Sequence, residues 1–225
     1  SLVVIEIEAG ENRPYYIKAE GRDRGTYIRV GATSRPADPM QIKELEIEGK
    51  NLSWDKLRCV GCSVDDAAVE KLCTDINKYL EKLALDHESK VGVKQLMSWD
   101  VLLADEKSPV ATNAFALLTG EKFDYAKIQC ARFKGKDRSV FIDRKEYAGP
   151  LYEQVENAYR FVLNYIEMNT EIKGLVREDK YEVPVSAVRE MIINAVCHRN
   201  YMNDSSIQVS VFDDRIEVTS PGTIC

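Results

Sequence analysis

The sequence predicts an α+β protein with strand-rich ends and a helical middle. Three observations support this. Apolar and polar residues alternate over Thr26–Val30, Ser206–Phe212 and Arg215–Thr219, which is the period of a half-buried strand. Apolar residues recur every three or four positions over Val69–Leu83, Leu151–Met168 and Val185–Tyr201, which is the period of an amphipathic helix. Clusters of Gly, Pro, Asn and Asp separate these runs, as turns require.

Residues 1–37 form the first expected region. Leu2–Glu8, Tyr15–Ala19 and Thr26–Val30 read as an antiparallel meander, with turns at Asn12-Arg13-Pro14 and Gly21–Gly25 and a turn-rich end at Gly31–Pro36. A chain opening directly in strand-like sequence leads us to expect earlier residues upstream of Ser1. Three such strands bury little alone and need a further packing surface. Residues 38–120 form a second, helical region. Asp38–Trp54 reads as a short helix and linker, and Ser63–Asp66 as a helix start with an acidic first turn. Val69, Leu72, Cys73, Ile76, Leu80 and Leu83 give that helix its apolar stripe, and Asp86–Lys90 closes it. Val93–Trp99 is a second short helix, and a hairpin or third helix follows through Thr112–Leu118. A winged-helix arrangement is one interpretation of this order, although no helix stands out as a base reader.

Residues 121–225 form the third region. Phe123–Phe133 is an apolar strand, Lys134–Asp137 a hairpin tip, and Gly149-Pro150 a break before the helix Leu151–Met168. That helix turns Val155, Tyr159, Val162 and Ile166 inward. Thr170–Glu182 reads as a strand pair around Gly174, and Pro184 suits the first turn of the next helix. There Val188, Met191, Ile192, Ala195 and Val196 share one arc, while Glu190, Asn194, Cys197 and Tyr201 share the opposite one. A carboxylate and an amide one turn apart can hold a water and a divalent cation side by side, but the same spacing is common on solvated helix faces. The chain ends in a hairpin turning at Asp213-Asp214, followed by Ser220-Pro221-Gly222.

The 225 residues suit one large domain or two small ones, and 44% hydrophobic with 30% charged residues describes a globular protein. No apolar run reaches the roughly 18 residues of a bilayer span, and the N-terminus lacks a signal-peptide order, so we expect a cytoplasmic protein without membrane partners. A net charge of −6 argues against indiscriminate nucleic-acid binding. Locally, residues 126–145 hold seven Lys or Arg against Asp137 and Asp143, which marks Arg132, Lys134, Lys136 and Arg138 as candidate phosphate contacts. A solvated hairpin explains the same composition. Arg22, Arg24, Arg29 and Arg35 pose the same choice near the N-terminus. Cys59-Val-Gly-Cys62 has zinc-knuckle spacing, but no second pair completes it, so the six cysteines are expected as reduced thiols.

Pro184–Gly222, with REMIINAVCHRNY followed by IQVSVFDDRIEVTSPG, resembles the C-terminal ATPase-like domain of a family of bacterial transcriptional regulators. These are also described as RecG-related ATP-dependent DNA helicase homologues. Ala111–Ala114, Cys130–Gly135 and Ile142–Glu146 with Gly149-Pro150 are similar to their middle region. Tyr15–Lys18 and Gly25–Gly31 with Arg35-Pro36 are similar to the end of their Schlafen-type Alba-like domain. The resemblance implies a truncated GHKL-like α/β sandwich at the C-terminus, a nucleic-acid partner (DNA favoured), and ATP with Mg²⁺ as cofactors of the full-length protein. A homo-oligomer also remains open. Glu190 and Asn194 match the family's E-x-x-x-N box, in which the Glu positions the attacking water and the Asn completes the Mg²⁺ shell. His198-Arg199 matches the start of H-R-D-Y, which places His198 near a phosphate, with Asn200 replacing the acid. Of D-x-G-x-G only Gly222 survives, and Ser220 stands near the position of the adenine-reading Asp. The implied function is a nucleic-acid-binding regulator with a degenerate ATP module. The alternative is an active helicase-related ATPase in the full-length protein.

Overall fold

The computed structural model describes residues 12–50, 52–82, 90–106, 108–166, 168–173 and 176–222, with backbone alone for 168–173 and 176–180. The chain is α+β, as its sequence predicts. It divides into two compact units, Ser1–Leu57 and Arg58–Cys225, so the division falls inside the span 38–120.

In the first unit, α1 (Arg22–Gly25) leads into β1 (Tyr27–Val30), which pairs antiparallel with β2 (Thr33–Pro36). The expected turn at Gly31–Pro36 is therefore mostly strand. Only two residues separate the strands, and Gly31 adopts φ 59°, which a tight hairpin turn favours. The strand expected at Tyr15–Ala19 does not form. These residues run irregularly into a turn, with the Ile17 N–H donating to the Gly25 carbonyl at 2.9 Å. The expected strand Leu2–Glu8 lies outside the described residues. Helix α2 (Pro39–Gly49) starts at a capping box: the Gln41 N–H donates to Asp38 Oδ1 at 2.9 Å, and the Asp38 N–H donates to Gln41 Oε1 at 3.0 Å.

The second unit contains two apolar cores. The first gathers α3 (Asp66–Lys82), α4 (Val93–Ser98), β3 (Leu102–Leu103), β4 (Val110–Ala111) and α5 (Asn113–Thr119) around Leu72, Leu96 and Phe115. Two helices and a hairpin follow the winged-helix order, but each hairpin strand is two residues long and a third helix succeeds it.

The second core lies between a sheet and two helices. β5 (Ile128–Phe133) and β6 (Phe141–Tyr147) form the expected hairpin, and α6 (Leu151–Leu163) follows. β7 (Met168–Lys173) and β8 (Val176–Tyr181) make a separate ribbon. Then come α7 (Val185–Cys197), β9 (Ile207–Val211) and β10 (Ile216–Thr219). The sheet order is β10-β9-β5-β6, with β5 and β9 parallel and the other neighbours antiparallel. Ile128, Cys130, Ile207, Val209 and Val211 meet Ala158, Phe161 and Val162 of α6 and Val188, Ile192 and Val196 of α7. The alternate residues Gln129 and Gln208 stand on the other face, as strand geometry dictates.

Two helices are shorter than their periodicity predicts. α6 stops at Leu163 because Met168 is taken into the ribbon opposite Tyr181. α7 stops at Cys197, because Arg199 turns inward and is buried. Its buried stripe is Val188, Ile192 and Val196, with Ala195 packed beside it, whereas Met191 is 40% exposed rather than part of the apolar arc.

Candidate functional site

The apolar stripe of α7 seats the helix on the sheet and leaves Glu190 and Asn194 exposed on its far side. Asn194 Nδ2 donates to Glu190 Oε1 at 3.1 Å. This bond leaves the Asn194 amide oxygen without a donor among the described residues. A carboxylate and a free amide oxygen are hard donors suited to water or a Mg²⁺ shell, so the pair fits the cation that the sequence resemblance implies.

The segment after β10 returns to the C-terminal end of the same helix. Ser220 Oγ donates to the Ala195 carbonyl at 2.7 Å, and the Asn200 N–H donates to the Pro221 carbonyl at 2.8 Å. Gly222 has φ 142°, and a side chain there would lie 3.5 Å from the Asn200 nitrogen and 3.7 Å from the His198 carbonyl oxygen. Gly222 and His198 are thus brought together, and the His198 N–H closes the helix on the Asn194 carbonyl at 3.0 Å. The negative end of the helix dipole and Glu190 both disfavour a bare phosphate here. An anion bridged by a cation suits this charge better.

Arg199, which the sequence showed only as part of the His198-Arg199 match and gave no role, is a structural residue. It is 5% exposed and lies between the rings of Tyr125 and Tyr201, at 5.5 and 5.0 Å. Its Nη2 donates to the carbonyls of Ser205 at 2.7 Å and Asn203 at 3.1 Å. Burial lowers its pKa, opposed by the field of the two tyrosines. Tyr125 OH donates to the Tyr201 carbonyl and Tyr201 OH to the Val196 carbonyl, which completes the cage below the exposed face. Tyr125 lies far away in sequence, so no local pattern indicated it.

The basic segment is largely neutralised by its neighbour. Arg132, only 15% exposed in its side chain, pairs with Asp213 at 2.5 Å and donates to the carbonyls of Phe133 and Val211. Lys136 meets Asp214 at 3.6 Å, Arg138 meets Glu217 at 3.1 Å, and Lys127 meets Glu146 at 2.8 Å. The Asp213 carboxyl is held below its ordinary range by Arg132 and by the Gly135 N–H. Glu217 is lowered first by Arg215, which also stacks 4.0 Å from the centre of the Phe212 ring. Lys134, Arg144 and Lys145 are exposed and form no ion pair among the described residues. The partners Asp213, Asp214 and Glu217 belong to the last hairpin, which only the β5–β9 pairing brings near.

The N-terminal arginines do not form one patch. Arg22 pairs with Glu46, and Arg29 donates to the Gly31 carbonyl at 3.1 Å and to Ser34 Oγ at 3.4 Å. The hairpin register sets Arg29 against Ser34 and Arg35 against Ile28, on opposite faces of the ribbon. Arg24 and Arg35 are exposed and without an ion pair among the described residues. Cys59 is buried, and the Cys62 thiol beside it is pushed up to about 11, mostly by burial. Among the described residues no group of three His, Cys, Asp or Glu could hold a metal.

No family model matches the chain, and no curated protein does. Among solved structures, the DIP2311 protein from Corynebacterium diphtheriae is similar, with a TM-score of 0.57 and 21% identity. The match covers 89% of this chain and 39% of that one, and at this identity it speaks to the fold alone. No helix among the described residues is long and apolar enough to cross a membrane.

Proposed function

We propose that the chain is part of a cytoplasmic bacterial transcriptional regulator, RecG-related by resemblance, that binds nucleic acid (DNA foremost) and carries a degenerate nucleotide module built on α7. The observation that supports the module best is the exposed, hydrogen-bonded Glu190–Asn194 pair beside the returning segment Ser220–Gly222. In the full-length protein Asn194 would offer its amide oxygen to a Mg²⁺ ion, which would supply charge neutralisation for a bound phosphate. Gly222 and the exposed His198 stand at the helix end, where the resemblance assigns a contact to a cation-bridged phosphate. Ser220 directs its hydroxyl to the Ala195 carbonyl, so this module holds a nucleotide with little discrimination for adenine. On the nucleic-acid side, Lys134, Arg144, Lys145, Arg24 and Arg35 remain for phosphate contact once the paired cations are set aside.

Calorimetric titration of the full-length protein with ATP and Mg²⁺ tests the module. Weak binding is expected, lost in Asn194→Ala and reduced in Glu190→Ala. Binding that survives both substitutions moves the site off α7, and no binding by the wild type leaves the unit a scaffold. A DNA affinity that ignores salt would sink the nucleic-acid half. The bond from Asn194 also favours a second interpretation, an ATPase, because it fixes the Glu190 carboxylate where it can accept a water proton. Phosphate release abolished by Glu190→Ala with binding retained identifies that case.

A further inference from the structure

Cys59-Val60-Gly61-Cys62 takes no part in the α7 site or the basic hairpin. Its four residues form a hydrogen-bonded turn: the Cys62 N–H donates to the Cys59 carbonyl at 3.4 Å, and Gly61 takes φ 81° at the third position. That is the pattern of a type II turn, which needs glycine where φ is positive and brings its end Cα atoms within about 7 Å. A disulfide spans Cα separations of about 4.4–6.8 Å. The two thiols already meet, joined by a side-chain hydrogen bond.

The surroundings give the two sulfurs different roles. Cys59 is 3% exposed, and its N–H donates to the Ala111 carbonyl at 2.8 Å, which fixes it in the helical core. Cys62 is only half-buried, beside a tip where Val60 is 79% exposed. The Cys62 thiol donates to Glu121 Oε2 at 3.9 Å, and Lys122 Nζ donates to the Val60 carbonyl. Burial first, then Cys59 and Glu121, push the Cys62 thiol up, with Lys122 opposing. Exchange there is slow in both directions, because the thiolate is scarce at neutral pH and a high-pKa thiol leaves slowly.

We propose that Cys59 and Cys62 are a redox-responsive pair that closes to a disulfide by exchange with a low-molecular-weight disulfide. The Cys62 thiolate attacks one sulfur of that oxidant and releases the other as a thiolate. Cys59 then loses its proton, attacks the Cys62 sulfur of the mixed disulfide and releases the second thiolate. Two protein thiols are oxidised, the oxidant is reduced to two thiols, and the two protons end on them. Closure takes the S–H donor away from Glu121, at the start of the link from α5 to β5. The pair is independent of the nucleotide and nucleic-acid proposals.

In the test, the full-length protein is incubated with oxidised glutathione, its free thiols are alkylated, and its tryptic peptides are weighed. The peptide Cys59–Lys71 should be unalkylated and two hydrogens lighter than the dithiol, and dithiothreitol should restore two alkylatable thiols. Cys59→Ser should instead retain a glutathione adduct on Cys62, with Cys59→Ala as a second variant if the first does not fold. Closure should quicken about tenfold from about pH 7 to about pH 8, because the thiolate fraction grows about tenfold per unit below the thiol pKa. A fully alkylated Cys59–Lys71 peptide under conditions that oxidise the urea-unfolded chain overturns the proposal. So does a lasting adduct on wild-type Cys62, a bridge from either residue to Cys73, or a closure rate indifferent to pH.

Discussion

At Arg199 a guanidinium is held at 5% exposure by carbonyls and two tyrosine rings, with no ion pair among the described residues and a carboxylate, Asp204, acting only through its field. Its fork of donors satisfies several acceptors at once, which a lysine cannot reproduce. Arg199→Ala should cost about 3 kcal/mol in chemical denaturation, and Arg199→Lys should recover little of it. Gly120 ends α5 at φ 73°, and a Cβ there would lie 2.6 Å from the backbone of Gly149 and Pro150. Gly120→Ala combines left-handed strain with a backbone clash and should cost about 2–4 kcal/mol by the same measurement. The sequence made Gly149-Pro150 visible as a break, but not its contact with Gly120, because tertiary approach leaves no local trace. Glu190 and Asn194 were legible as a pair because helix periodicity sets their face. Arg199, two residues past a helix end, lies where periodicity stops informing.

Between elements, the main electrostatic event is the meeting of the basic β5–β6 tip with the acidic β9–β10 turn. Asp213, Glu217, Asp143 and Glu146 all have lowered pKa values, caused first by Arg132, Arg215, Tyr165 and Lys127 respectively. A depressed carboxyl pKa contributes stability above the unfolded value, and that contribution is lost as pH falls through the folded value. Thermal melts should thus hold near neutrality and drop below about pH 4, the ordinary carboxylate range. Asp213→Asn should lower the melt at neutral pH and flatten its acid limb. A melt that falls equally steeply in this variant would deny Asp213 its role. The hairpins were legible from alternation, and the helices from their stripes. The strand failed to form at Tyr15–Ala19 because alternation over five residues, without a paired neighbour among the described residues, does not fix a strand. The charge cluster left a phosphate patch and a solvated hairpin both open, because its partners, about 80 residues away, are invisible to a local window.

Across the larger unit, α6 joins two cores that the sequence suggested only as separate regions. Leu151 packs on the sheet core and Tyr152 on the helical one, where its hydroxyl donates to Asp75 at 2.8 Å. Arg189 of α7 adds a second tie, donating to Tyr79 of α3 at 2.8 Å and to Glu156 at 2.9 Å. The parallel pairing of β5 with β9 has a further consequence, in time rather than space. Arg132 and Val211 are 79 residues apart, yet adjacent in the sheet. On a ribosome adding about 5–20 residues per second, the β5–β6 hairpin, complete at Tyr147, emerges roughly 3–13 s before the strand that covers its inner edge. For that interval both edges of the hairpin are open, and the nascent chain must be guarded until β9 arrives.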